Sequence, residues 1–78
     1  MTKTLFPGST LGIIGDSPNG IMLARAAKKM GYKVVAYSHY EESPTLAEAD
    51  VRIVGKMNDK TKLQNFAQRC DVVTYESD

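Results

Sequence analysis

The feature that most constrains this chain is a short apolar run ending in glycine, residues 10–15 (TLGIIG), followed by a second glycine at position 20 and an amphipathic stretch. A run that is apolar on both faces suits a central parallel strand covered by helices on both sides. Residues 19–30 then take helical spacing. Gly20, Leu23, Ala24 and Ala27 fall on one face, while Arg25, Lys28 and Lys29 take the outer side. Ser17 suits the N-cap with Pro18 at the first helical position, and Gly31 is a stop signal just past the end. Strand, tight glycine turn and helix in this order open a βαβ unit.

The rest of the chain repeats the alternation. Residues 32–37 (YKVVAY) read as a second strand and residues 38–43 as a polar loop. Ser43-Pro44 begins a short helical turn through Glu48, and residues 51–54 (VRIV) form a brief third strand. Asp59 is placed to N-cap another helix, with Leu63, Phe66, Ala67 and Cys70 on one face, before a fourth strand at residues 71–75 (DVVTY). Alternating strands and helices imply right-handed crossovers and a parallel sheet. The expected fold is α/β, a Rossmann-like half-domain with a four-stranded parallel sheet of order 3-2-1-4 and helices on both faces. Its fourth strand leaves an uncovered sheet edge, which natural proteins avoid. Residues 1–78 are therefore expected to be one domain of a longer chain, with the open edge available for homodimer pairing.

Length and charge narrow the function. A chain of 78 residues is one small domain, burying roughly 60% of its unfolded surface. Ten Lys and Arg against nine Asp and Glu provide no electrostatic pull toward nucleic acid or an anionic membrane. No apolar run approaches the roughly 20 residues that span a bilayer, and no stretch reads as a signal peptide, so the expected compartment is the cytoplasm. A single cysteine and a single histidine make neither a disulfide nor a zinc cluster.

The candidate chemistry lies in the turn Gly15-Asp16-Ser17-Pro18-Asn19-Gly20. At such a turn the helix N-terminus offers unpaired N–H groups and partial positive charge to an anion. Gly15 and Gly20 match the outer glycines of a dinucleotide fingerprint, but Ser17 replaces the middle one and Asp16 adds a negative charge. No acidic residue follows the second strand, where Ser38, His39 and Tyr40 stand instead. These departures argue against an NAD or FAD site. Two readings stay open: a purely structural βα turn, or a site for a different, smaller ligand. His39 reads as a solvated loop residue and Cys70 as a buried, inert thiol.

The order of STLGIIG, the glycine-flanked turn, MLARAAKKMGYKVVAY, EESPTLAEAD and CDVVTYE is similar to the N-terminal domain of the carboxyaminoimidazole ribonucleotide synthases. The resemblance runs from Phe6 to Glu76. It implies a three-domain ATP-grasp ligase that carboxylates aminoimidazole ribonucleotide with ATP and bicarbonate through carboxyphosphate, in purine biosynthesis. ATP and magnesium would bind in later domains, with no cofactor in this chain. The first domain would supply part of the ribonucleotide site through Gly15, Asp16, Ser17, Pro18, Asn19, Gly20 and Glu76, with no catalytic residue of its own. The family turn is richer in glycine, with glycines at the positions of Asp16 and Ser17, and position 38 is commonly aspartate. Those departures leave a second reading, a nucleotide-binding or interaction module of half-Rossmann type, and a third, a ligase paralogue with another substrate.

Overall fold

The computed structural model describes residues 7–76. Seven elements follow in order: β1 (Thr10–Ile14), α1 (Pro18–Lys29), β2 (Lys33–Ser38), α2 (Pro44–Ala47), β3 (Val51–Val54), α3 (Lys60–Gln68) and β4 (Val72–Tyr75). All strand pairs are parallel and the sheet order is β3-β2-β1-β4. The expected architecture is the observed one, with element ends displaced by a residue at most except at α3, which ends at Gln68, so that Cys70, expected on its face, lies just beyond it.

β1 pairs on one side with β2 (Gly12 opposite Val35) and on the other with β4 (Gly12 opposite Val73). Position in the sheet explains the burial of each strand. β2 lies inside the sheet under helices on both faces, and everything after Lys33 is buried. The edge strands β3 and β4 alternate between half-buried and exposed residues, as one-sided cover dictates.

On one face, small residues of α1, Ala24 and Ala27, let the helix sit close over Leu11, Ile13 and Val34. On the other, Phe66 of α3 packs on Val35 and Tyr37, with the Tyr37 and Phe66 rings edge to face at 5.5 Å. Gly12 sets the spacing of that layer: a Cβ there would stand 2.5 Å from Cys70 Sγ and 2.8 Å from Phe66 Cζ. Ala67, expected on the covered face, is exposed. No other described helix lies beside α3 on that side, so only the narrow line of Leu63, Phe66 and Cys70 meets the sheet.

The caps differ in kind. Asp59 accepts a hydrogen bond from the backbone N–H of Lys62 at 3.0 Å, the expected N-cap of α3. Ser17 has the extended backbone of an N-cap, but its hydroxyl makes no capping bond. Two aspartates start the edge strands in the same way. Asp50 donates its backbone N–H to the Val34 carbonyl (2.9 Å) and accepts the Val34 N–H on its carboxylate (2.8 Å). Asp71 does the same with Thr10, at 2.8 and 2.7 Å. Each closes the ladder where a strand begins and so pins its register.

α1 is tied to the end of α2 by Arg25, whose Nε and Nη2 each lie 3.2 Å from a Glu48 carboxylate oxygen, and by Lys28 Nζ, which donates to the Glu48 carbonyl at 3.1 Å. The Arg25 hydrogen bond holds the Glu48 carboxyl below its ordinary range, against desolvation, which raises it.

Candidate functional site

The C-terminal ends of β1, β2 and β4 converge where the order of connection reverses: the chain leaves β1 toward β2 on one side and returns as β4 on the other. In open α/β sheets this crevice is where ligands bind. Gly15 forms its floor. Its φ of +120° is a conformation that only glycine adopts readily. Its N–H donates to the Tyr37 carbonyl at 3.1 Å, and the N–H of Glu76 donates to Ile14 at 2.8 Å. A Cβ on Gly15 would stand 1.9 Å from the Glu76 carbonyl oxygen. The glycine is thus required twice, by its φ and by the closeness of the β4 end.

A cleft of about 270 Å³ opens above this floor, lined by Gly15, Asp16, Ser17, His39, Met57, Tyr75 and Glu76. Asp16 is its most connected side chain. Its Oδ1 accepts hydrogen bonds from Ser38 Oγ at 2.5 Å and from Ser43 Oγ, and its Oδ2 lies 3.4 Å from His39 Nδ1. Ser38 and Ser43 are buried, so the carboxylate satisfies two hydroxyls that burial would otherwise leave without partners. Across the cleft, Glu76 Oε2 accepts from Thr74 Oγ1 at 3.0 Å. The Ser17 hydroxyl is buried, at 3% residue exposure, and has no hydrogen-bond partner.

The nominated residues therefore separate into two groups. Gly15, Asp16, Ser17 and Glu76 border the cleft. Pro18 and Asn19 are exposed at the start of α1 and do not line it. Gly20 is buried, and a Cβ there would stand 3.2 Å from Thr45 Oγ1 and 3.5 Å from Ile13 Cγ2, which makes it a packing residue between α1, α2 and β1. His39, read as a loop residue in solvent, borders the cleft beside Asp16 while staying more than half exposed. Met57 and Tyr75 are further wall residues. The position of Tyr75 next to Glu76 at a strand end is a signal for it; nothing in the sequence marks Met57. Cys70 lies in the α3 layer, where burial pushes its thiol pKa up and Sγ donates to the Phe66 carbonyl at 3.3 Å.

Among the described residues no group of three or more His, Cys, Asp or Glu side chains is placed to hold a metal ion, and no helix is long and apolar enough to cross a membrane.

The sequence model of the ribonucleotide synthetase preATP-grasp domain matches residues 8–78. The chain belongs to this preATP-grasp family. Two similar curated relatives are N5-carboxyaminoimidazole ribonucleotide synthases. That of Bacillus subtilis (strain 168) is 40% identical over 74 residues, 95% of this chain and 20% of the relative. That of Staphylococcus aureus (strain COL) is 45% identical over 69 residues, 88% of this chain and 18% of the relative. Among solved structures, an ADP complex of N5-carboxyaminoimidazole ribonucleotide synthetase superposes with a TM-score of 0.90 at 45% identity, covering 97% of this preATP-grasp chain and 20% of the other. The synthetase from Thermotoga maritima superposes with a TM-score of 0.82 at 34% identity, covering 87% and 19%. The chain spans about one fifth of the length of the curated relatives it matches. The resemblance read from the scaffold segments is thus the family found.

Proposed function

We propose that this chain is the N-terminal, substrate-side domain of a cytoplasmic ATP-grasp ligase that carboxylates aminoimidazole ribonucleotide with ATP and bicarbonate. The observation that carries the reading is likeness to synthases of this kind along nearly the whole chain, at 45% identity and a TM-score of 0.90. ATP, with magnesium, supplies the activation of bicarbonate on residues outside this chain. The part played here is to hold the ribonucleotide. The Glu76 carboxylate, steadied by Thr74, accepts hydrogen bonds from sugar hydroxyls, and Gly15 lets the ligand approach the backbone of the turn.

The test uses the full-length protein that carries this chain. ADP release should depend on both aminoimidazole ribonucleotide and bicarbonate. Glu76→Gln should lower kcat/KM for the ribonucleotide by about 10- to 100-fold, the scale of one charge-assisted hydrogen bond. ADP release indifferent to the ribonucleotide would sink the proposal. Ribonucleotide binding without any turnover would favour a non-catalytic nucleotide-binding module.

A further inference from the structure

We infer, resting on the reading of the cleft as the ribonucleotide site, that Tyr37 is a positioning residue for ligand binding. Its buried hydroxyl holds the connection between β3 and α3, residues 55–59, and so keeps Met57 in the cleft wall. Tyr37 is fully buried in β2 and does not itself line the cleft. Its hydroxyl donates to the Lys56 carbonyl at 2.7 Å, across 19 residues of sequence. That carbonyl also accepts the Asp59 N–H at 3.2 Å, and Asp59 in turn caps α3. One residue earlier, the Gly55 N–H donates to the Ser38 carbonyl at 2.9 Å. Gly55 runs close against the phenol: a Cβ there would stand 2.4 Å from Tyr37 Oη and 2.9 Å from its Cζ. Both residues that precede Met57 are thus seated on the Tyr37 ring or its hydroxyl.

Met57 is partly buried against the layer formed by Val35, Tyr37 and Phe66, and it also borders the cleft. An unbranched side chain of this kind adapts to whatever surrounds it, so its place is set by its backbone and its packing neighbours. Tyr37 contributes to both. What Met57 brings to the cleft is apolar surface. Asp16, Ser17, His39 and Glu76 supply the polar groups, while Met57 and Tyr75 supply the apolar wall. Apolar walls around a few polar groups keep water from competing for the ligand's hydrogen bonds. Loosening residues 55–59 would therefore weaken binding although no hydrogen-bonding group of the cleft had been altered.

Tyr37→Phe, made in the full-length protein, removes the hydroxyl, keeps the ring against Phe66 and leaves the Lys56 carbonyl its bond from Asp59. Hydrogen exchange followed by NMR should show the Asp59 amide about 3- to 10-fold faster than in the parent, the scale of one hydrogen bond, with the Gly15 amide unchanged. Calorimetric titration with aminoimidazole ribonucleotide should give a Kd raised by a similar factor, about 3- to 10-fold, while the Kd for ADP stays the same. General damage to the fold would move both constants. Met57→Ala should weaken ribonucleotide binding and Met57→Leu should restore it. The double variant Tyr37→Phe/Met57→Ala should bind no more weakly than Met57→Ala alone, because the hydroxyl acts through that side chain. Unchanged exchange at Asp59, an unchanged ribonucleotide Kd in Tyr37→Phe, or losses that add in the double variant overturn the inference. Met57→Ala binding as tightly as the parent overturns it even if Tyr37→Phe fails to fold. A parent that binds no ribonucleotide overturns it together with the reading it rests on. ADP release indifferent to a ribonucleotide that still binds would count against the proposed activity alone.

Discussion

Gly8 and Gly15 both have positive φ, +94° and +120°, yet an added Cβ meets nothing within 4 Å at Gly8 and the Glu76 carbonyl oxygen at 1.9 Å at Gly15. Replacing each by alanine separates backbone strain from crowding. A non-glycine residue in such a region costs about 1–3 kcal/mol, and both variants carry that penalty. At Gly15 the obstructing atom is backbone. The end of β4 must move by more than 1 Å (about the gap between 1.9 Å and ordinary contact), and the 2.8 Å bond from the Glu76 N–H to Ile14 cannot survive that shift. Losing one such bond adds about 0.5–1.5 kcal/mol, so Gly15→Ala should cost about 1.5–4.5 kcal/mol in all. The whole stability of a domain this size is of order 4–12 kcal/mol, and each kcal/mol is about 4–8 °C in Tm. Circular-dichroism melts should therefore place Gly15→Ala roughly 2–12 °C below Gly8→Ala. Equal melting points would refute the claim that the β4 end presses on the turn, and with it the geometry of the cleft floor.

Asp59→Ala should destabilise by about 1 kcal/mol through loss of the α3 N-cap, read by urea unfolding, with Asp59→Asn close to the parent. The Glu48 carboxyl is depressed in the folded state, first by the Arg25 hydrogen bond and less by the Coulomb attraction of Arg25 and Lys28. A depressed acid contributes stability that is fully present above its ordinary carboxylate pKa and is lost as pH falls through the folded value. The stability difference between the parent and Glu48→Gln should therefore shrink on acidification, and a difference that grew would contradict the Arg25–Glu48 pairing.

Much of the scaffold was legible because it depends on local pattern. The apolar run ending at Gly15 reads as a buried central strand, and the small face of α1 and the Asp59 cap are written within a few residues of each other. The site was legible in position but not in sign. Asp16 reads in sequence as a charge that spoils an anion cradle; in the fold it is the acceptor for Ser38 and Ser43, 22 and 27 residues away. Nothing local announces those partners, because they arrive only when β2 has paired with β1 and α2 has turned back over the sheet. The same holds for His39, whose role beside Asp16 depends on where β2 ends. Pro18 and Asn19 were nominated by the resemblance, and in the fold they stand exposed at the start of α1, outside the lining of the cleft. Ser17 has capping chemistry in sequence, yet burial beside the cleft leaves its hydroxyl without the expected bond.

The bond from the Thr10 N–H to Asp71 joins residues 61 apart, and this separation sets an order of events. β1, α1 and β2 can fold on one another through near neighbours, whereas β4 docks only after a long loop has closed, which is entropically slower. The turn that holds Gly15 and Asp16 can thus take shape early, while the wall that bears Glu76 arrives late. Until it does, the half-made crevice has a floor and one side, and ligand has nothing to close upon. Binding would then favour the docked strand over the undocked one, making the ligand itself a clasp on the last step of folding.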